Sequence, residues 1–118
     1  MYKTILVPLD GSEVAEAILP HVEELAKLFG STVILLQVME LPHLIALPKG
    51  EIYDALPQLT PAEVNQQLGE TRRYLDGLVA RLDADAISAR ALVENGPVVV
   101  TILRVARQEE ADLIAMAS

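Results

Sequence analysis

The chain has 118 residues, 52% of them hydrophobic, and sets 17 acidic against 9 basic residues for a formal charge of −8; this is enough apolar material for one core and excludes a disordered chain. The acidic balance disfavours a nucleic-acid groove or an anionic membrane as partner, and 3% aromatic residues leave no stacking platform for single strands or sugars. Zero cysteines exclude disulfides and thiolate chemistry, no apolar run approaches the roughly 18 residues of a membrane span, and Met1-Tyr2-Lys3-Thr4 leads directly into a strand without room for a signal peptide, so a cytoplasmic protein is expected.

Ile5-Leu6-Val7-Pro8-Leu9-Asp10-Gly11-Ser12 begins with a run of apolar residues, the pattern of a strand covered on both faces, and ends in a carboxylate, a glycine and a hydroxyl. Gly11 permits a tight exit, and Ser12 is placed to cap the next helix. Asp10 then stands at the mouth of a sheet, where a ligand would bind; the plainer alternative is that it only closes an Asx turn. Val14, Ala15, Ile18, Leu19, Val22, Leu25, Ala26 and Phe29 recur at helical spacing up to Gly30, and Pro20 predicts a kink within one helix rather than two helices. Thr32 to Met39 reads as a second strand buried on both faces.

From Glu40 to Leu59 the periodicity stops among Pro42, Pro48, Gly50 and Pro57, in a segment that suits a lid, a partner surface or partial disorder. Thr60-Pro61-Ala62-Glu63 is a capping box with proline at the first helical position, and Val64, Leu68, Thr71, Leu75, Leu78 and Leu82 form one stripe of a helix running to about Asp83. Ile87 to Val93 is a third strand, with Ser88 and Arg90 alternating outward as at an edge. Asn95-Gly96-Pro97 turns into a helix carrying Val98, Val99, Ile102, Leu103 and Ala106, and Ala111 to Ala117 forms a fourth apolar strand before Ser118.

This alternation predicts a single α/β domain over 1–118, an open parallel sheet with helices on both faces. With strands two and three on one side of strand one and strand four on the other, the ligand crevice lies between strands one and four. Asp10-Gly11-Ser12 and Met116-Ala117-Ser118 would face each other across it. Any anion bound there must be held by backbone N–H groups or a helix terminus, because basic side chains are scarce.

In the order and spacing of Ile5 to Ser12, Val33 to Val38, Gly96-Pro97 and Ala111 to Ser118, the whole chain resembles the universal stress protein family. The resemblance implies a Rossmann-like fold of the adenine-nucleotide-hydrolase type, with ATP, with or without Mg²⁺, over the carboxyl ends of strands one, two and four. Pro8 and Asp10 would border the adenosine, the backbone of Val38 would meet the adenine, and Met116, Ala117 and Ser118 would line the opposite side. The family holds the triphosphate with Gly-x-x-Gly, nine residues, then Gly-Ser or Gly-Thr, just after the fourth strand. Ala117 occupies the first glycine position, and the rest of that pattern, with a further helix and strand, would fall beyond Ser118. The resemblance thus implies either a shortened domain or one without the phosphate grip, and a homodimer as its assembly.

Other candidates are weaker. His21 and His43 have no matching cluster for a metal site or proton relay, Glu23-Glu24 and Glu109-Glu110 read as solvated helix faces, and Met116 at a strand end can touch a purine or simply fill the core. Ser12 lacks the Gly-x-Ser-x-Gly elbow and histidine base of a hydrolase nucleophile, and no general base or metal set converges on the crevice, so at most slow ATP hydrolysis is expected. Two classes remain open, an ATP-binding regulatory module and a dimeric interaction module that binds no nucleotide. A phosphorylated receiver is disfavoured because Glu94-Asn95 stand where its acceptor Asp would follow the third strand.

Overall fold

The computed structural model describes residues 2–39 and 61–117. The Glu40 to Leu59 segment, the capping role of Thr60 and the position of Ser118 lie outside those residues. In chain order the elements are β1 (Thr4–Leu9), α1 (Glu13–Glu16), α2 (Leu19–Phe29), β2 (Thr32–Met39), α3 (Pro61–Ala84), β3 (Ala89–Asn95), α4 (Val98–Gln108) and β4 (Leu113–Ile114). The four strands form one parallel sheet in the order β3-β2-β1-β4, with Ile5 opposite Val33 on one side and Leu113 on the other. Helices on both faces explain why the central strands are continuous apolar runs: Ile5, Leu6, Val7 and Val33 to Leu36 are all fully buried.

Alternation along the strands splits the core in two. Ile5, Val7, Leu9, Val33 and Leu35 pack against Leu19, Val22 and Ala26 of α2 and the Leu75, Leu78 and Leu82 stripe of α3. Leu6, Ile34 and Leu36 point the other way, onto Ile102 and Val105 of α4.

Three expectations need correction. The helix after Ser12 is two helices, not one kinked helix: α1 ends at Glu16, the residue whose carbonyl the Pro20 ring would strike, and α2 restarts with Pro20 in its first turn, where a missing N–H is harmless. The third strand begins at Ala89 rather than Ile87 because the preceding residues close α3. Ala86 takes a left-handed conformation (φ 62°), its N–H donates to the Asp83 carbonyl and that of Ile87 to the Leu82 carbonyl, which is a Schellman closure with buried Ile87 as its apolar contact. The fourth strand spans Leu113–Ile114, not 111–117. Its bonds to β1 run from the Asp112 N–H, donating to the Thr4 carbonyl, to the Ala115 N–H, donating to Leu6. One step further the register brings Met116 opposite Pro8, which has no N–H to donate.

Candidate functional site

The loop leaving β1 is built by its own side chains. The Ser12 N–H donates to Asp10 Oδ1 at 2.9 Å, and the Ala15 N–H donates to Ser12 Oγ at 3.1 Å, so an Asx turn feeds directly into the N-cap of α1. Gly11, at φ 86°, makes the turn between them. Hydrogen bonding from the Ser12 hydroxyl and then from its backbone N–H holds the exposed Asp10 carboxyl below the usual carboxylate value, so it is ionised at neutral pH. Both roles foreseen for Asp10, closing a turn and standing at a sheet mouth, are thus filled at once.

At the carboxyl ends of the strands a cleft of about 160 Å³ is lined by Pro8, Leu9, Asp10, Ala15, Val38, Val98, Ile102, Met116 and Ala117. Among the anticipated residues Pro8, Asp10, Val38, Met116 and Ala117 all lie along this cleft, and Ser118 is outside the described residues. The step that opens it is visible in the register: pairing of β2 with β1 stops at Gln37 opposite Leu9, whereas pairing with β3 continues through Val38 to Met39. Val38 therefore projects past the end of β1 and leaves room above it. Sequence reasoning treated Val98, Ile102 and Ala15 as helix positions only. Their signal was the i, i+4 spacing of Val98 and Ile102 directly after Gly96-Pro97, which sets the first turn of α4 against the strand ends.

The chemistry of the lining is one-sided. Its walls are apolar and Asp10 supplies an ionised acceptor, a set that suits a flat aromatic base with hydroxyls nearby. Among the described residues no group of three or more His, Asp or Glu side chains is placed to hold a metal ion. No described helix is long and apolar enough to cross a membrane.

The model of the universal stress protein family matches residues 1–118. A universal stress protein of Synechocystis is 32% identical over 98% of this chain and 66% of its own length, so the chain spans a little less than two thirds of that relative. Among solved structures, a universal stress family protein from Burkholderia pseudomallei has a TM-score of 0.75 at 27% identity, over 99% of this chain and 82% of that one. A universal stress protein solved in complex with cAMP shares the fold at a TM-score of 0.57 and 20% identity, over 96% of this chain and 70% of that one. With the sheet order, the cleft at its carboxyl edge and these likenesses together, the chain belongs to the universal stress protein family.

Proposed function

We propose that this chain is an adenine-nucleotide-binding regulatory module whose ligand lies in the cleft over β1, β2 and β4. The observation that carries the reading is the convergence of Pro8, Val38, Met116 and Ala117, apolar and well suited to a purine, on the ionised Asp10, which can accept from ribose hydroxyls. The cAMP complex of a protein with the same fold supports it, since that scaffold holds an adenine nucleotide. ATP is the expected physiological ligand by family resemblance. Residues 1–118 hold no Gly-x-x-Gly pattern and carry a charge of −8, and among the described residues the cleft lining includes no Lys or Arg to clamp the phosphates and no cluster stands ready for Mg²⁺. Among the described residues the cleft lining holds no nucleophile paired with a base, so the reading is of a binding module with at most slow ATP hydrolysis.

Calorimetry on the 118-residue chain tests this. Adenosine should bind, Asp10→Ala should weaken it about tenfold, the loss of one charge-assisted hydrogen bond, and ATP should bind no tighter than adenosine. An Asp10→Ala variant that binds adenosine like the parent, or a parent that binds neither ligand, would sink the reading.

A second reading, a homodimeric interaction module, is favoured by one feature. Val99, Val100, Leu103 and Met116 are 54–68% exposed, and β4 is an edge strand of the sheet. Light scattering at micromolar concentration should give a dimer mass that Val100→Asp lowers to a monomer; a monomeric parent would reject it.

A further inference from the structure

α1 is four residues long and buries only Ala15, yet it forms one wall of the cleft and carries the Ser12 cap that orients Asp10. A helix this short does not hold itself, and one methyl group is a slight anchor. The neighbouring turn at Ala17 and Ile18, forced by Pro20, removes the support a continuous helix would give. Something else must fix the helix, and the structure contains it 58 residues away. The Tyr74 hydroxyl on α3 donates to Glu16 Oε2 at 2.7 Å, a part-buried bond that ties α1 to the longest helix of the fold. Tyr74 flanks the buried Leu75, so its backbone is held by the main core.

We propose that Tyr74 is a positioning residue for the cleft: through Glu16 it locks the rotation of α1, keeping Ala15 in the wall and the Asp10-Ser12 turn at the mouth. The charge distribution agrees with the geometry. Burial, and then the bond and charge of Glu16 with a smaller contribution from Asp10, raise the Tyr74 pKa well above the ordinary phenol value, so the hydroxyl stays protonated and available as a donor. Arg81 of α3 also reaches Glu23 of α2, but at 3.8 Å this pair is loose, and neither residue lines the cleft.

The ligand part of this inference rests on the adenine-nucleotide reading, and the test separates the two. Tyr74→Phe keeps the ring and removes only the hydroxyl, Glu16→Ala removes the acceptor, and Glu16→Gln keeps an acceptor oxygen for Tyr74. Adenosine affinity by calorimetry should fall about threefold to tenfold in Tyr74→Phe and in Glu16→Ala, the double variant being no worse than either, and should return to the parent value in Glu16→Gln. In the absence of any ligand, the Ala15, Glu16 and Ala17 amides should exchange with deuterium faster in Tyr74→Phe while the Leu75 to Leu82 amides stay as protected as in the parent. Parent-like affinity in Tyr74→Phe, or failure of Glu16→Gln to restore it, overturns the positioning role while leaving nucleotide binding in place. If the parent binds no adenosine, the nucleotide reading fails and the exchange result decides the tether: faster α1 exchange upholds it, unchanged exchange overturns it.

Discussion

The two faces of the sheet are covered very differently. On one, α2 and α3 lay down Leu19, Val22, Ala26, Leu75, Leu78 and Leu82 over five buried strand residues. On the other, among the described residues, α4 contributes Ile102 and Val105 over Leu6, Ile34 and Leu36, with Val38, Leu92, Ala111 and Ile114 only partly buried. The cleft opens at the carboxyl edge where the two clusters meet, taking Leu9 and Ala15 from the first and Val38 and Ile102 from the second. Among the described residues the first face carries more of the buried core, and the cleft lies at the rim the two share, as local stability and binding commonly trade against each other.

Adjacent residues of β2 give the sharpest way to break that comparison, because Leu35 and Leu36 are equally buried at 0% exposure but point to opposite faces. Both Leu→Ala changes fall within the ~2–5 kcal/mol expected for core truncation, with Leu35→Ala near the top and Leu36→Ala near the bottom because α4 can settle into the space. Urea denaturation measures the difference, and equal losses would show that the faces are equally rigid. Next in size is Gly96→Ala, at the hinge between β3 and α4. Gly96 sits at φ 144°, and an added Cβ would meet the buried Thr101 Oγ1 at 2.9 Å, so a loss of about 1–3 kcal/mol is expected, with weakened adenosine binding as α4 shifts.

Helix closures offer a gain instead. Ala86 ends α3 and Glu110 ends α4, both in left-handed backbone at φ 62° and 54°. Ala86→Gly and Glu110→Gly should each stabilise by roughly 0.5–1 kcal/mol, one on each side of the sheet, and thermal melts that fall rather than rise would show the strain to be relieved already. The smallest effect is expected at Asp112, exposed at the β4 edge, where Oδ2 accepts from the Lys3 and Thr4 N–H groups at 2.8 and 2.9 Å. Those bonds, Thr4 first, hold its folded pKa below the ordinary aspartate value. A lowered carboxyl pKa stabilises fully above the unfolded value and loses that contribution as pH falls through the folded one. Asp112→Asn should therefore be less stable than the parent near neutrality, and the gap should close in acid below about 3.8. A gap independent of pH would mean that the charge of Asp112 does nothing.

Most of the sheet was readable because burial on both faces writes itself into composition: Ile5-Leu6-Val7 and Val33 to Leu36 have no polar residue to mislead, whereas their order against Leu113-Ile114 entered only as a condition, since crossover handedness leaves strand order open. Boundaries set by backbone chemistry were harder. The end of α1 at Glu16 depends on a steric contact four residues from Pro20, and the late start of β3 on Ala86 adopting a conformation that alanine seldom takes. Leu9, Ala15, Val98 and Ile102 were seen as packing residues, and only the three-dimensional step between β1 and β2 makes them walls of a cleft. The Tyr74–Glu16 bond joins positions 58 apart and carries no local signature at all.

The placing of β1 between β2 and β4 also has a cost in time. β1 leaves the ribosome well ahead of β4, because the carboxylate and strand that complete its second edge lie 108 residues later, at Asp112 and beyond. At a synthesis rate of about 5–20 residues per second that interval is on the order of 5–20 s, far longer than the microseconds in which local helices form. For that interval the Thr4–Leu9 strand stays open on one side, an apolar template that a nascent chain must keep from foreign strands until β4 arrives.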